Sequence, residues 1–298
     1  GFHLASGAAL MTAMVFGALI SPTDPVAVMG ILKTVKVPET LETKIAGESL
    51  FNDGIGIVVF SVLVGVAFPV AQHSVETSAS AIALFLAQEA LGGAVLGGVA
   101  GYLAYLLLKS IDDYVLEIII TLALVTGVYS LATQLHSSGP IAVVVAGLFI
   151  GNRGVRHAMS EKTREHLLNF WHLIDEILNA LLFTLIGFET LALDIQANYL
   201  IAGLVAIPIM LGARLVAVSV PIKLLSLGQE FTKGAIPVMT WGGLRGGISV
   251  ALALSLPLGP ERDLILTATT VVVIFSIVVQ GLSVGWVIRR VVGELPSP

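Results

Sequence analysis

Long apolar runs, separated by short polar connections, dominate the pattern along the chain. An α-helix needs about 20 predominantly apolar residues to cross a hydrocarbon core. Nine runs meet or approach that length, near 4–32, 45–70, 80–108, 115–134, 138–152, 170–190, 199–224, 234–256 and 264–288. The fifth is the shortest, at about 15 residues, and predicts a short or locally thinned crossing. A re-entrant segment is the alternative there, and the distribution of charge argues against it. Nine crossings place twelve Lys and Arg residues, from Lys33 to Arg290, on one side and Arg262 alone on the other. Removing the fifth span scrambles that asymmetry. An excess of Lys and Arg marks the cytoplasmic side, so the C-terminus is expected in the cytoplasm. The plasma (inner) membrane is the expected location.

Composition strengthens the class. Hydrophobic residues make up 56% of the chain and charged residues 12%, against about 25% charged in soluble domains. The chain reads as an all-α polytopic membrane protein in one transmembrane domain, 1–298. No nucleic-acid partner is expected. Without a cysteine, disulfides, thiolate catalysis and cysteine-ligated metals are excluded. The chain opens at Gly1 directly on an apolar run, and N-terminal helices are expected to be missing.

Two spans are interrupted. In the first, Ser21-Pro-Thr-Asp-Pro25 cuts the apolar run with two prolines, each lacking a backbone donor and disfavouring helix before it. In the eighth, Trp241-Gly-Gly-Leu-Arg-Gly-Gly247 places four glycines around one arginine. A short polar turn and an intact span follow each, and by the charge count the two broken spans enter from opposite sides. That is a weak inverted repeat. Paired interrupted helices in an inverted repeat point to a midplane binding site, where exposed backbone lines a cavity.

Charged groups inside spans converge on the same place. Asp24 lies nine residues before Lys33 and Asp53 nine after Lys44, so both sit roughly 13 Å from the same boundary. Holding an acid at a helix centre costs about 2.5 to 3.5 kcal/mol on insertion scales, and such residues usually bind or relay ions. Ser49, Asn52 and Asp53 share one stripe of the second span, with Glu48 offset by about 100 degrees. Carboxylate, hydroxyl and amide oxygens, with carbonyls freed at Thr23, suit a hard cation. A proton and a cation would then compete for one site. Arg214 and Arg245 are the two arginines within spans. Arg214 is expected to pair internally, with the stripe of His172, Asp175, Glu176 and Asn179 offering partners or lining a funnel. Gly93, Gly97 and Gly101 read as a close helix-packing stripe, and Ser160 to Glu165 as a capped helix start.

At Thr23-Asp24-Pro25, Glu48-Ser-Leu-Phe-Asn-Asp-Gly54 and Gly243-Leu-Arg-Gly-Gly-Ile248, the chain resembles the NhaP-type sodium/proton antiporters of the first monovalent cation:proton antiporter family. The resemblance covers the whole chain. It implies an inverted-repeat antiporter fold of about 13 helices with two discontinuous ones, of which the present nine form the C-terminal part. It further implies a homodimer that exchanges Na+, or Li+ or K+, for H+ without a cofactor. Asp53 would carry transport, with Asp24, Ser49 and the backbone of Thr23 coordinating the ion. Asn52 before Asp53 resembles the electroneutral branch. Glu48 would pair with Arg245 as a structural ion pair. The residues also admit two other classes. Asp24 and Asp53 at one depth could form the dyad of an intramembrane aspartyl protease, but the chain lacks a glycine-x-glycine-aspartate motif. Arg245 and half-helix ends could serve a channel or anion carrier, a reading the two acids oppose.

Overall fold

The structure, a computed structural model, describes residues 2–24, 28–29, 39–68, 79–154, 159–192, 196–226 and 234–292. Pro25, Lys33, Lys36, Arg156 and Lys233 lie outside the described residues. Among those described there are helices and no strand: α1 (Phe2–Leu19), α2 (Glu39–Ala67), α3 (Ala79–Lys109), α4 (Tyr114–Gln134), α5 (Gly139–Phe149), α6 (Glu161–Ala192), α7 (Ala197–Leu225), α8 (Ala235–Trp241), α9 (Gly247–Leu254), α10 (Pro260–Phe275) and α11 (Leu282–Val292). Two π-helical turns, Ile150–Gly154 and Ser276–Gly281, extend α5 and join α10 to α11.

Among the described residues each expected span contains helix, and both interruptions fall where proline and glycine place them. α1 stops at Leu19, and residues 21–24 run without regular structure. The eighth span divides into α8 and α9 around Gly242–Gly246. The short fifth span is α5 with its π-turn, begun by Ser138, whose Oγ accepts the Ile141 N–H at 3.3 Å, and by Pro140 in the first turn. Five segments among the described residues are long and apolar enough to cross a membrane: Leu41–Ala67, Ala87–Lys109, Tyr114–Gln134, Ala197–Leu225 and Pro260–Val291. Local chemistry sets the other starts as well. Asp113 caps α4 by accepting the N–H groups of Val115 and Leu116 at 2.9 and 3.2 Å, and Ser160 Oγ accepts the Thr163 N–H at 3.4 Å as α6 begins.

The chain divides into two compact units, residues Ile57–Leu182 and the remainder, Gly1–Gly56 with Phe183–Pro298. In the first of these, α3, α4 and α5 pack on one another. The glycine stripe makes this possible. A Cβ on Gly97 would lie 2.8 Å from the carbonyl carbon of Ala142, and one on Gly101 would lie 3.0 Å from the Cα of Ala146. Where lipid offers no hydrophobic gain over protein, such backbone approach supplies the van der Waals contact that holds helices together. The second unit packs α7 against α8 and α10, α9 against α10, and α8 against α11. Val28, Leu41, Val238, Val284 and Ile288, each fully buried, form the centre of its apolar cluster. Both interrupted segments belong to this unit.

Candidate functional site

Unwinding a helix strands backbone donors and acceptors, and in an apolar medium each must find a partner. The two interrupted segments supply one another. The Asp24 N–H donates to the Leu244 carbonyl at 2.8 Å, and the Arg245 guanidinium donates to the carbonyls of Ser21 and Pro22, the latter at 3.0 Å. Gly246 permits the crossing, because a Cβ there would stand 2.8 Å from the Asp24 carboxylate. The join between α10 and α11 completes the set. Ser276 Oγ accepts the Arg245 N–H at 2.8 Å, and Gln280 Nε2 donates to the Trp241 carbonyl at 3.1 Å. Trp241 Nε1 in turn donates to Ser283 Oγ at 2.9 Å. Ser276 and Gln280 are fully buried, and both fall in the π-turn, a widened register typical of functional positions.

Onto this crossing α2 brings its polar stripe. The Thr23 N–H, freed by the break, donates to Asp53 Oδ1 at 3.0 Å. Thr23 Oγ1 and Ser49 Oγ share a hydrogen bond at 3.0 Å, and both residues are buried. Gly56, one turn beyond Asp53 on α2, lets that helix approach: a Cβ there would lie 3.1 Å from the Pro22 ring. Asp24 stands near enough for its charge to act on Asp53. Thr23, Ser49, Asp53 and Asp24, singled out from the sequence, are therefore gathered at one point. Asn52, on the same helix, lines an adjoining cavity of about 680 Å3. Thr12, Ser21, Glu48, Arg214 and Arg245 complete its polar wall, and apolar side chains of α1, α7 and α10 form the rest.

The pairing of charges differs from the expected one. Glu48 is taken by Arg214 of α7, whose Nη1 and Nη2 donate to its two carboxylate oxygens at 2.5 and 2.9 Å, while Nη2 also reaches the Met239 carbonyl at 3.1 Å. The expected ion pair of Glu48 with Arg245 is thus replaced by Glu48 with Arg214. The reason lies in the break: Arg245 sits on unwound chain beside the end of α1, where carbonyls without intrahelical donors carry partial negative charge, and these take its guanidinium. The expectation that Arg214 pairs with the stripe containing Asp175 and Glu176 is corrected by the same contact. Asp175 and Glu176 are exposed on α6.

An oxygen-rich site of this kind fits a small hard cation better than a transition metal, which favours imidazole or thiolate. Among the described residues no three His, Asp, Glu or Cys side chains cluster as a metal centre. Ser276, Gln280 and Ser283 join the site without having stood out among the sequence candidates. Their signal was present: they are spaced four and three apart, one polar stripe late in an apolar span.

The family model described as sodium/hydrogen exchanger, transmembrane, matches residues 1–290. The chain is 50% identical over 287 residues to the Na(+)/H(+) antiporter NhaP of Pseudomonas aeruginosa, covering 95% of this chain and 67% of that protein. It is 40% identical over 285 residues to the Na(+)/H(+) antiporter NhaH of Halobacillus dabanensis, covering 94% of this chain and 69% of that one. Among solved structures, the sodium proton antiporter MjNhaP1 of Methanocaldococcus jannaschii shares the fold, with a TM-score of 0.71 at 20% identity over 95% of this chain and 72% of its own.

Proposed function

The chain belongs to the sodium/hydrogen exchanger family, and on that premise we propose that it exchanges a monovalent cation for a proton at Asp53 by alternating access. The observation that carries the assignment to Asp53 is its hydrogen bond from the Thr23 N–H, at the crossing of two interrupted segments. That bond uses Oδ1. Oδ2 is then the oxygen that takes either the proton or the cation.

In this reading Asp24, Ser49 and the backbone of Thr23 complete the cation's ligands, and Asn52 keeps the neighbouring position neutral. Na+ is the proposed cation, with Li+ and K+ as related substrates; oxygen donors serve all three. Coupling follows from the energetics of a charge at depth. A proton or a cation each neutralises Asp53, whereas the empty anionic form meets a barrier in the closed bundle. Only the two neutralised forms cross, so the fluxes are tied one to one and exchange is electroneutral. Residues 1–298 act as one transporter domain, within a homodimer, in the plasma membrane with the C-terminus cytoplasmic. The protease and anion-carrier readings have no comparable support among its relatives, which are antiporters.

Asp53→Asn tests the proposal in everted vesicles that contain the full-length protein. The variant should insert and fold, because the amide retains the Thr23 bond, yet show no sodium-dependent movement of protons. Normal exchange by that variant would remove Asp53 from the mechanism.

A further inference from the structure

The end of α11 presents a second polar feature, beyond Ser283 on the same helix. Val284 and Ile288 are fully buried in the apolar cluster, while Leu282 and Trp286 on the opposite face are 83% and 57% exposed. Leu282, Trp286 and Arg290 follow at four-residue intervals and share one stripe. Val278, one turn earlier, is exposed as well. The stripe is therefore apolar along the span and turns cationic where the span ends, at Arg289 and Arg290.

The Arg290 guanidinium lies 5.2 Å from the centre of the Trp286 ring. Resting on an aromatic face uses the flat side of a guanidinium and leaves its edge N–H donors available. Among the described residues neither Arg289 nor Arg290 meets a carboxylate within ion-pair distance. Two exposed guanidiniums, without a carboxylate partner among the described residues, beside a tryptophan at the end of a membrane-spanning segment complement a phosphate at headgroup depth. The apolar row below them complements an acyl chain.

We propose that the end of α11 binds one anionic phospholipid of the adjacent leaflet, its phosphate held by Arg289 and Arg290 and a chain lying along Trp286 and Leu282. The lipid is the source of the phosphate because the donors and the exposed apolar row are continuous on one face. A free phosphate would use only the arginines.

The test uses purified full-length protein in phosphatidylcholine nanodiscs, titrated with phosphatidylglycerol, with further phosphatidylcholine, or with soluble glycerol phosphate. Bound lipid is counted by native mass spectrometry and stability by thermal unfolding. Phosphatidylglycerol should be retained and should raise the melting temperature, with no gain from the other two additions. The double variant R289Q/R290Q should match the original protein in phosphatidylcholine alone. Each substitution should weaken the apparent affinity for phosphatidylglycerol about fivefold, the worth of one basic residue near an anionic surface. Trp286→Leu should weaken it too, with the charges unchanged. If the double variant does not fold, Arg290→Gln alone gives the same reading. Undiminished retention of phosphatidylglycerol by these variants, or an equal gain from glycerol phosphate, would overturn the proposal.

Discussion

Replacing Arg214 by glutamine removes a guanidinium that makes three hydrogen bonds, two to Glu48 and one to the Met239 carbonyl. The side chains of Arg214 and Glu48 are 6% and 24% exposed, so Glu48 would keep its charge with little water to replace the lost partner. Removing one member of a buried ion pair costs about 3 to 5 kcal/mol, most of it the penalty on the charge left behind. The residual access of Glu48 to the cavity places the expected loss near the lower figure. At roughly 2 to 4 °C per kcal/mol, as for soluble domains of comparable size, the melting temperature should fall by on the order of 10 °C. Replacing Glu48 by glutamine as well removes the stranded charge. The double variant should therefore recover part of the loss, a coupling of about 2 kcal/mol by the double-mutant cycle. The assay is thermal unfolding of detergent-purified full-length protein, with exchange rates normalised to folded protein. A parallel cycle with Arg245→Gln and Glu48→Gln should be closer to additive, since Arg245 directs its Nη1 to the carbonyls of Ser21 and Pro22 and makes no hydrogen bond to Glu48. Additive losses for Glu48 with Arg214, or the larger coupling for Glu48 with Arg245, would refute the pairing.

Other substitutions probe the remaining features. Gly97→Val should push α3 off α5, because the obstruction is the backbone of Ala142 rather than a movable side chain; overpacking costs about 1 to 3 kcal/mol. Gly127→Ala, with nothing within 4 Å of the added carbon, should leave the melting temperature unchanged or raise it, by up to about 1 kcal/mol of helix propensity. Ser276→Ala strands the buried Arg245 N–H at a cost of about 1 to 3 kcal/mol, measurable as lower thermal stability and faster amide exchange at Arg245. Ser49→Ala, which removes the partner of Thr23 Oγ1, should raise the KM for sodium about fivefold, the worth of roughly 1 kcal/mol, with maximal rate less affected. A KM equal to that of the unmodified protein would place Ser49 outside the ion's surroundings.

Polar groups within apolar runs are costly enough that their positions alone expose much of this protein. Two prolines around Thr23 and Asp24, and four glycines around Arg245, decided where helices stop before any contact was known. Helical periodicity put Ser49, Asn52 and Asp53 on one stripe. Depth counted from Lys33 and Lys44 put Asp24 level with Asp53, and the bond from Thr23 to Asp53 agrees with that level. Gly93, Gly97 and Gly101 announced a close approach without naming the helix approached. Tertiary structure decided the partners. Glu48 had two arginines within spans to choose from, and sequence gives depth and helix face but not which helix stands opposite. Arg214 answers because α7 faces Glu48, and Arg245 is held by carbonyls that the break in α1 leaves available. Ser276 and Gln280 serve the interrupted α8 and α9 from another helix, through a π-turn that no local propensity marks. Local chemistry thus fixes where backbone groups are left without partners, whereas only the packed fold determines which distant side chains reach them.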